Sequence, residues 1–148
     1  MNIKGAHTLP LSRERAFQAL QDPNILAQCM PGCEELVRVA DNDYEMKMKM
    51  AMAAFTGQFD GRVRIADSNP PVSFKLIVEG KGRIGFMKGE GVLTLTQQEP
   101  ASTQVAFDGE VQVGGTIAAV GQRLIDTTAR MMIRRFFDKL AETVAAAG

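Results

Sequence analysis

The sequence predicts an α+β domain in which a seven-stranded, curved antiparallel sheet wraps around one long C-terminal helix. Apolar and polar residues alternate with a period of two through most of residues 34–113, which is typical of half-buried strands. An apolar stripe with a period near 3.6 residues follows over about residues 116–144. A sheet of this many strands does not stay flat, so we expect it to close around that helix.

Length and charge indicate one domain, which we expect to span residues 1–148. The 17 basic and 17 acidic side chains leave no net charge, so a nucleic-acid-binding function is not expected. Residues 1–11 lack the basic start and continuous apolar run of a signal peptide, and no stretch has the length of a membrane span. We therefore expect a cytoplasmic protein.

The first part of the chain predicts one strand and two short helices. Alternation over residues 2–8 indicates the strand. Ser12 is a favourable helix N-cap, so a helix is expected to begin just after it. Asp22 and Pro23 open a second helix, which ends at Pro31–Gly32. The predicted order is strand, two helices, six strands and a final helix.

Six further strands are predicted from residue 34 onward. The clearest alternation places five residues on one face: Tyr44, Met46, Met48, Met50 and Met52. The pattern resumes over residues 55–65, and after the turn at residues 69–71 it places four more on one face: Val72, Phe74, Leu76 and Val78. Glycine-rich strands at about residues 83–97 and 105–113 complete a sheet that can bend at its glycines.

The long helix is predicted to begin at Thr116, which follows Gly114–Gly115 and can serve as its N-cap. No proline or turn signal interrupts the pattern before about Val144. One stripe is expected to face the sheet: Ile117, Gly121, Leu124, Ile125, Thr128, Met132, Phe136 and Leu140.

The apolar composition favours a cavity between sheet and helix. Nine methionines and eight phenylalanines with no tryptophan make a soft, adaptable interior. Four glycines fall on inward phases, where missing side chains would leave room: Gly57, Gly61, Gly109 and Gly121. The alternatives are that methionine only fills gaps, and that the glycines bend the sheet or let the helix approach it.

No catalytic or metal-binding set is expected. Inward-facing strand positions are apolar, glycine or threonine, without the groups that nucleophilic or acid–base chemistry needs. His7 is the only histidine, and we interpret it as a hydrogen-bonded core residue. Cys29 and Cys33 are too few and wrongly spaced for a zinc site, so we expect both to be reduced.

Residues 80–85 have the spacing GxGxxG of a dinucleotide-binding loop. That site needs a following helix, and a strand follows here, so we predict a hairpin and no nucleotide. Just beyond it, Phe86 and Met87 between Arg83 and Lys88 could contact a membrane surface or a partner protein. The alternative is that Phe86 and Met87 fold inward at a bulge.

Three segments carry a resemblance to a known family: Asp22–Glu34, Gly82–Gly91 and Val113–Ile125. Over nearly its whole length the chain resembles the carbon monoxide dehydrogenase G-subunit family, within the helix-grip (START-like, Bet v 1-like) superfamily. The resemblance implies a non-enzymatic accessory protein without an intrinsic cofactor. Such a protein would link a molybdenum-containing carbon monoxide dehydrogenase, or a related hydroxylase, to the inner face of the cytoplasmic membrane. It would also handle a quinone of the menaquinone or ubiquinone type.

Because the sequence stops directly after the helix, without the tail of many relatives, we expect only weak, peripheral membrane contact. The leading hypothesis is a carrier of a quinone or similar isoprenoid. Its predicted ligand-binding residues are Phe59, Phe74, Leu76, Val78, Phe107, Ile117, Gly121, Leu124, Ile125, Thr128 and Met132. Thr128 offers a hydroxyl that could meet a quinone carbonyl. Two alternatives stay open: a cyclase-like or hydrolase-like enzyme of the same superfamily, and a ligand-free docking module for the dehydrogenase.

Overall fold

The computed structural model describes residues 1–52 and 55–147. In chain order its elements are β1 (Asn2–Leu9), α1 (Arg13–Ala19), α2 (Pro23–Cys29), β2 (Cys33–Ala40), β3 (Asp43–Met52), β4 (Phe55–Asn69), β5 (Ser73–Gly82), β6 (Gly85–Glu99), β7 (Ser102–Gly114), a 3-10 helix (Gly115–Val120) and α3 (Gln122–Ala147). The strands form one antiparallel sheet in the order β1-β7-β6-β5-β4-β3-β2. The predicted α+β architecture and its seven-stranded sheet are confirmed.

Side-chain caps start the two short helices where the sequence predicts them. The Ser12 hydroxyl accepts a hydrogen bond from the backbone N–H of Arg15 at 3.4 Å. The Asp22 carboxylate accepts one from the N–H of Asn24 at 2.9 Å, and Pro23 occupies the first helical position. Both helices therefore begin with a donor group satisfied by the preceding side chain.

Alternation in β3 directs its apolar residues inward, as predicted. The charged residues between positions 44 and 50 of this strand are exposed, whereas the four residues that alternate with them are buried: Tyr44, Met46, Met48 and Met50. The prediction for the Met52 side chain falls outside what the structure describes. The prediction for Val72 is wrong, because this residue lies in the turn before β5 and is 36 % exposed. Its backbone N–H donates to the carbonyl oxygen of Asn69 at 2.7 Å, which closes that turn.

The GxGxxG segment spans a hairpin, as predicted, since Gly82 at the end of β5 pairs with Gly85 at the start of β6. Two of the four glycines expected to leave cavity space, Gly61 and Gly109, are instead closely approached by neighbouring atoms. A Cβ at Gly61 would meet the Met46 methyl at 3.0 Å, and Gly109 lies against Gly91 of the neighbouring strand. The other two, Gly57 and Gly121, are exposed and have no atom within 4 Å of a Cβ position, so the space beside them is open to the surface and is not an interior cavity.

The prediction of one helix capped by Thr116 is wrong. The chain forms the 3-10 helix first, with Gly114 rather than Thr116 at its N-cap, and α3 starts only after Gly121. Gly121 has a φ of 96°, and the helix is broken there. Within α3 the buried face drifts along the helix, so that Leu124 is 40 % exposed and Phe137 is buried while Phe136 is only partly buried.

The interior divides into two hydrophobic clusters. The first, which we call the aromatic core, consists of Leu9, Leu11, Ala16, Phe17, Ala19, Leu20, Cys29, Tyr44, Ile65, Phe74, Leu93, Leu95, Val105, Phe137, Leu140 and Val144. The second, which we call the methionine core, has the buried members Met46, Met48, Met50, Phe55, Phe59, Val63, Ile117 and Ile125. The C-terminal half of α3 and the two short helices contribute to the first, and the start of α3 and the 3-10 helix to the second.

Candidate ligand-binding site

Methionine is concentrated in one of the two clusters. Three methionines are buried members of the methionine core, and five partly buried ones pack against it: Met1, Met30, Met87, Met131 and Met132. All eight methionines whose side chains the structure describes therefore belong to this cluster, out of nine in the sequence. Because methionine is unbranched and polarisable, this half of the interior can adapt its shape more readily than the other half.

The structure brings six of the eleven predicted ligand-binding residues together at the methionine core. Three are buried members and three are partly buried against it: Phe59, Ile117 and Ile125, then Leu76, Val78 and Met132. Phe74 is a buried member of the aromatic core, and Phe107 packs against that core from its edge. Gly121 and Leu124 are exposed, so they are placed apart from both clusters.

Thr128 is fully buried, on the side of α3 that faces the sheet. Its hydroxyl donates a hydrogen bond to the carbonyl oxygen of Leu124, one turn earlier, at 2.7 Å. The hydroxyl hydrogen that was predicted to donate to a quinone carbonyl is thus directed to the backbone of the same helix.

The 3-10 helix covers the methionine core with one side chain. Ile117 is 1 % exposed, whereas the other residues of this helix are exposed or only partly buried. The backbone N–H of Ile117 donates to the carbonyl oxygen of Ile84 in the β5–β6 hairpin at 2.9 Å. Gly115 is the first residue of this helix and Gly121 directly follows its last, and their φ angles are 80° and 96°. The sequence prediction missed this cover, although the two glycines that bound it were its signal.

His7 lies at the border of the aromatic core. Its ring stacks on Phe137 at a centroid distance of 4.6 Å and on Phe107 at 5.9 Å. The interpretation as a hydrogen-bonded residue is wrong for the described part of the chain, where the imidazole makes ring contacts and no hydrogen bond. Burial lowers its pKa below the ordinary value, the charge of Asp138 opposes this effect, and that of Arg134 adds to it.

The predicted contact patch splits between the two faces of the sheet. Met87 faces the methionine core, while Phe86 is 41 % exposed, with its ring lying over Gly114. Arg83 and Lys88 are exposed. Only Phe86 of the two apolar residues is therefore available to an outside surface, and the alternative of inward folding holds for Met87 alone.

Two clefts open at the surface of the described part of the molecule. The first, of about 540 Å³, lies beside the β5–β6 hairpin and is lined by Thr56, Gly57, Gln58, Phe59, Asp60, Lys81, Gly82, Arg83 and Ile84. The second, of about 520 Å³, is the basic cleft, lined by residues 27–33 and 49–51 together with Arg135 and Lys139. Its walls include the free thiols of Cys29 and Cys33, which are unpaired as predicted.

The sequence matches the family model of the carbon monoxide dehydrogenase G-subunit (CoxG) over residues 5–145. The chain belongs to this family. CoxG proteins form a family of accessory subunits, and the resemblance expected from the three sequence segments is confirmed. No helix in the described part of the chain is both long and apolar enough to cross a membrane.

Solved structures support the helix-grip fold. A conserved protein from Geobacillus kaustophilus is 33 % identical, with a TM-score of 0.95 and coverage of 99 % of this chain and 97 % of that chain. A START superfamily protein from Mycobacterium smegmatis has a TM-score of 0.77 at 12 % identity, with 99 % of each chain covered. Protein Ms6760 from the same organism has a TM-score of 0.75 at 14 % identity, with 99 % and 92 % covered. The last two show the fold alone. No curated protein matches the sequence.

Proposed function

We propose that this CoxG-family protein is a non-enzymatic accessory subunit that holds a quinone or similar isoprenoid at the methionine core. It links a molybdenum-containing carbon monoxide dehydrogenase, or a related hydroxylase, to the membrane quinone pool. The observation that carries the proposal is the concentration of methionines, and of six predicted ligand-binding residues, in one half of the interior.

Apolar burial supplies enough free energy for such binding. Each buried CH₂ group contributes about 0.8 kcal/mol, so one five-carbon isoprenoid unit contributes about 3–4 kcal/mol. Two or three units offset the loss of translational freedom and leave micromolar affinity. The partly buried side chains around the cluster supply this surface, since Val78, Met87 and Met132 are neither fully covered nor fully exposed.

A ligand-free docking module is the second candidate function. It is favoured by the burial of the methionine core, whose eight buried members are at most 8 % exposed without any ligand. The carrier function instead requires these side chains to change rotamer when the ligand enters. Methionine, with three rotatable side-chain bonds, does this at low energetic cost.

Mass spectrometry of an organic extract tests the carrier function directly. The protein is purified from its native host, and a stoichiometric quinone is expected in the extract. An empty extract, repeated after incubation with short-tailed quinones, would contradict the carrier and favour the docking module. The measurement is independent of intrinsic fluorescence, which is weak in a chain without tryptophan.

Two adjacent residues of α3 provide a matched pair for locating the ligand. Met132 packs against the methionine core, whereas Ile133 packs against the aromatic core. Met132→Ala is expected to lower quinone occupancy severalfold, and Ile133→Ala, with a similar loss of volume, to leave occupancy unchanged. Equal occupancy of both variants would place the ligand elsewhere.

The proposed function includes a weak membrane contact through Phe86. One exposed phenylalanine with nearby Arg83 and Lys88 gives reversible binding to anionic vesicles. Phe86→Ser is expected to reduce co-sedimentation with such vesicles. Val92→Ser is the control, because Val92 lies on the same strand and is 47 % exposed. If both variants sediment like the unmodified protein, Phe86 does not contact the membrane.

A further inference from the structure

The basic cleft has a preformed wall. The turn between α2 and β2 is tied to β3, because the backbone N–H of Lys49 donates to the carbonyl oxygen of Gly32 at 2.8 Å. Gly32 has a φ of 77°, and a Cβ there would lie 2.5 Å from the Lys49 carbonyl oxygen. The chain therefore passes close against the strand at this point and keeps the cleft in its shape.

The cations of the cleft lack carboxylate partners. Across residues 1–52 and 55–147, no acidic group forms an ion pair with Lys49, Arg135 or Lys139. Several exposed cations elsewhere are paired, as in Arg62 with Asp43 at 2.7 Å. The positive charge of the cleft is therefore left available to an anion from outside the chain.

Two of these cations are neighbours on α3. Arg135 and Lys139 lie one turn apart on the same side of α3, where like charges destabilise a helix. A bound anion would remove this repulsion. Burial raises the pKa of the Cys29 thiol, and a hydrogen bond with Thr143 and the charge of Lys139 oppose this effect.

The floor of the same cleft is apolar. Met30 and Pro31 line the cleft and are only partly buried, and Cys29 and Met50, which are 3 % and 7 % exposed, lie behind them. A free inorganic anion would leave this apolar surface unused. An anion that carries a hydrocarbon chain would use both the cations and the floor.

We propose that the basic cleft binds an amphipathic ligand whose carboxylate or phosphate head lies between Arg135 and Lys139 and whose chain lies on Met30 and Pro31. This goes beyond the function proposed above, since the quinone there is uncharged and occupies the methionine core. The cleft borders that core through Met30 and Met50, but the cations that would hold the head lie outside it. The head can belong to a free amphipath or to a lipid in a membrane, and the two sources share this chemistry.

Calorimetric titration of the full chain with dodecyl phosphate, below the concentration at which it forms micelles, tests the site. Arg135→Gln with Lys139→Gln is expected to weaken binding about tenfold or more, because two charge-assisted contacts are lost. The matched control is Arg123→Gln with Arg134→Gln, which removes two exposed charges from the same helix outside the cleft and should leave affinity unchanged. Equal weakening in both double variants would overturn the proposal.

Two further titrants identify the ligand. Inorganic phosphate is expected to bind at least about tenfold more weakly than dodecyl phosphate, and equal affinities would overturn the role of the apolar floor. Phosphatidylglycerol vesicles, compared with phosphatidylcholine vesicles, test the membrane source. Binding of dodecyl phosphate that depends on Arg135 and Lys139 supports a free amphipath, and dependence seen only with phosphatidylglycerol vesicles supports a lipid headgroup. Absence of both overturns the site.

Failure of this site is distinguishable from failure of quinone binding. The Arg135→Gln and Lys139→Gln double variant is expected to retain its extracted quinone in full, because neither residue belongs to the methionine core. Loss of quinone from this variant would show that the two ligands share one site and would overturn the inference of a separate one.

Discussion

The aromatic core and the methionine core fill the same grip with different side chains. In the aromatic core Phe17 meets Phe74 edge to face at 5.5 Å, and Phe136 meets Phe137 in the same way at 5.3 Å. The methionine core gathers all the methionines whose side chains are described, and it is covered by a 3-10 helix that has no side-chain cap. One half of the interior is therefore fixed by ring geometry, and the other half by contacts that can rearrange.

This difference separates stability from binding. Rigid rings leave a cavity when one is removed, because their neighbours cannot move into the space. Flexible thioethers fill such a space in part, and they can also make room for a ligand. The comparison predicts that the aromatic core sets the free energy of unfolding, while the methionine core sets the ligand that the protein accepts.

The largest test of the comparison is one substitution made in each core. Phe74→Ala is expected to lower the free energy of unfolding by about 3–5 kcal/mol, since Phe74 is 1 % exposed and held by Phe17. For Phe59→Ala the expected loss of unfolding free energy is smaller than that of Phe74→Ala by about 1 kcal/mol or more, because nearby methionines can relax into the space. Urea denaturation followed by circular dichroism measures both. Equal losses would mean that the two cores are equally rigid.

A smaller effect is expected where the 3-10 helix joins the sheet. Gly85 has a φ of 141°, and a Cβ there would collide with the carbonyl oxygen of Gly114. Gly85→Ala is therefore expected to lower the free energy of unfolding by about 1–3 kcal/mol. Gly80→Ala, at the other end of the GxGxxG segment, meets no atom within 4 Å and should stay within about 0.5 kcal/mol of the unmodified protein. Thermal unfolding compares the two, and a larger loss for Gly80→Ala would contradict this assignment.

Local sequence patterns predicted the strands and the caps because the forces behind them are local. An inward charge in β3 would be desolvated, so the alternation around Met46 and Met48 is decisive by itself. Asp22 and Pro23 act within one turn of the helix they start. The segments that obey such short-range rules lie where the sequence predicts them.

Contacts between distant segments decided what the sequence could not predict. The helix breaks at Gly121, and the backbone of Ile117 is hydrogen-bonded to Ile84 of the hairpin. A helical wheel shows neither the break nor this hydrogen bond. Residues spaced four apart also drift away from one face of α3, because the helix has 3.6 residues per turn. Leu124, near the start of α3, is therefore exposed. The division of the interior into two cores follows from which strands face which part of α3, so periodicity identified apolar residues without assigning them to a cluster.

The smallest expected effect lies at the border of the aromatic core and depends on pH. Burial between Phe107 and Phe137 lowers the pKa of His7, so that the folded protein takes up its proton at lower pH than the unfolded chain does. The contribution of neutral His7 to stability is therefore complete above its unfolded pKa of about 6.5 and is lost as the pH falls through the folded pKa. His7→Phe keeps a stacking ring and removes the titration.

The melting temperature of the unmodified protein should therefore fall relative to that of His7→Phe as the pH is lowered from about 7 to about 5. Asp43 does not interfere in this range. A hydrogen bond from Arg62 lowers the pKa of Asp43, and its contribution is lost only as the pH falls below the ordinary carboxylate value. Parallel melting curves of the two proteins across this range would mean that protonated His7 is accommodated by the rings as well as the neutral form. The aromatic core would then be less rigid at its border than its ring geometry indicates.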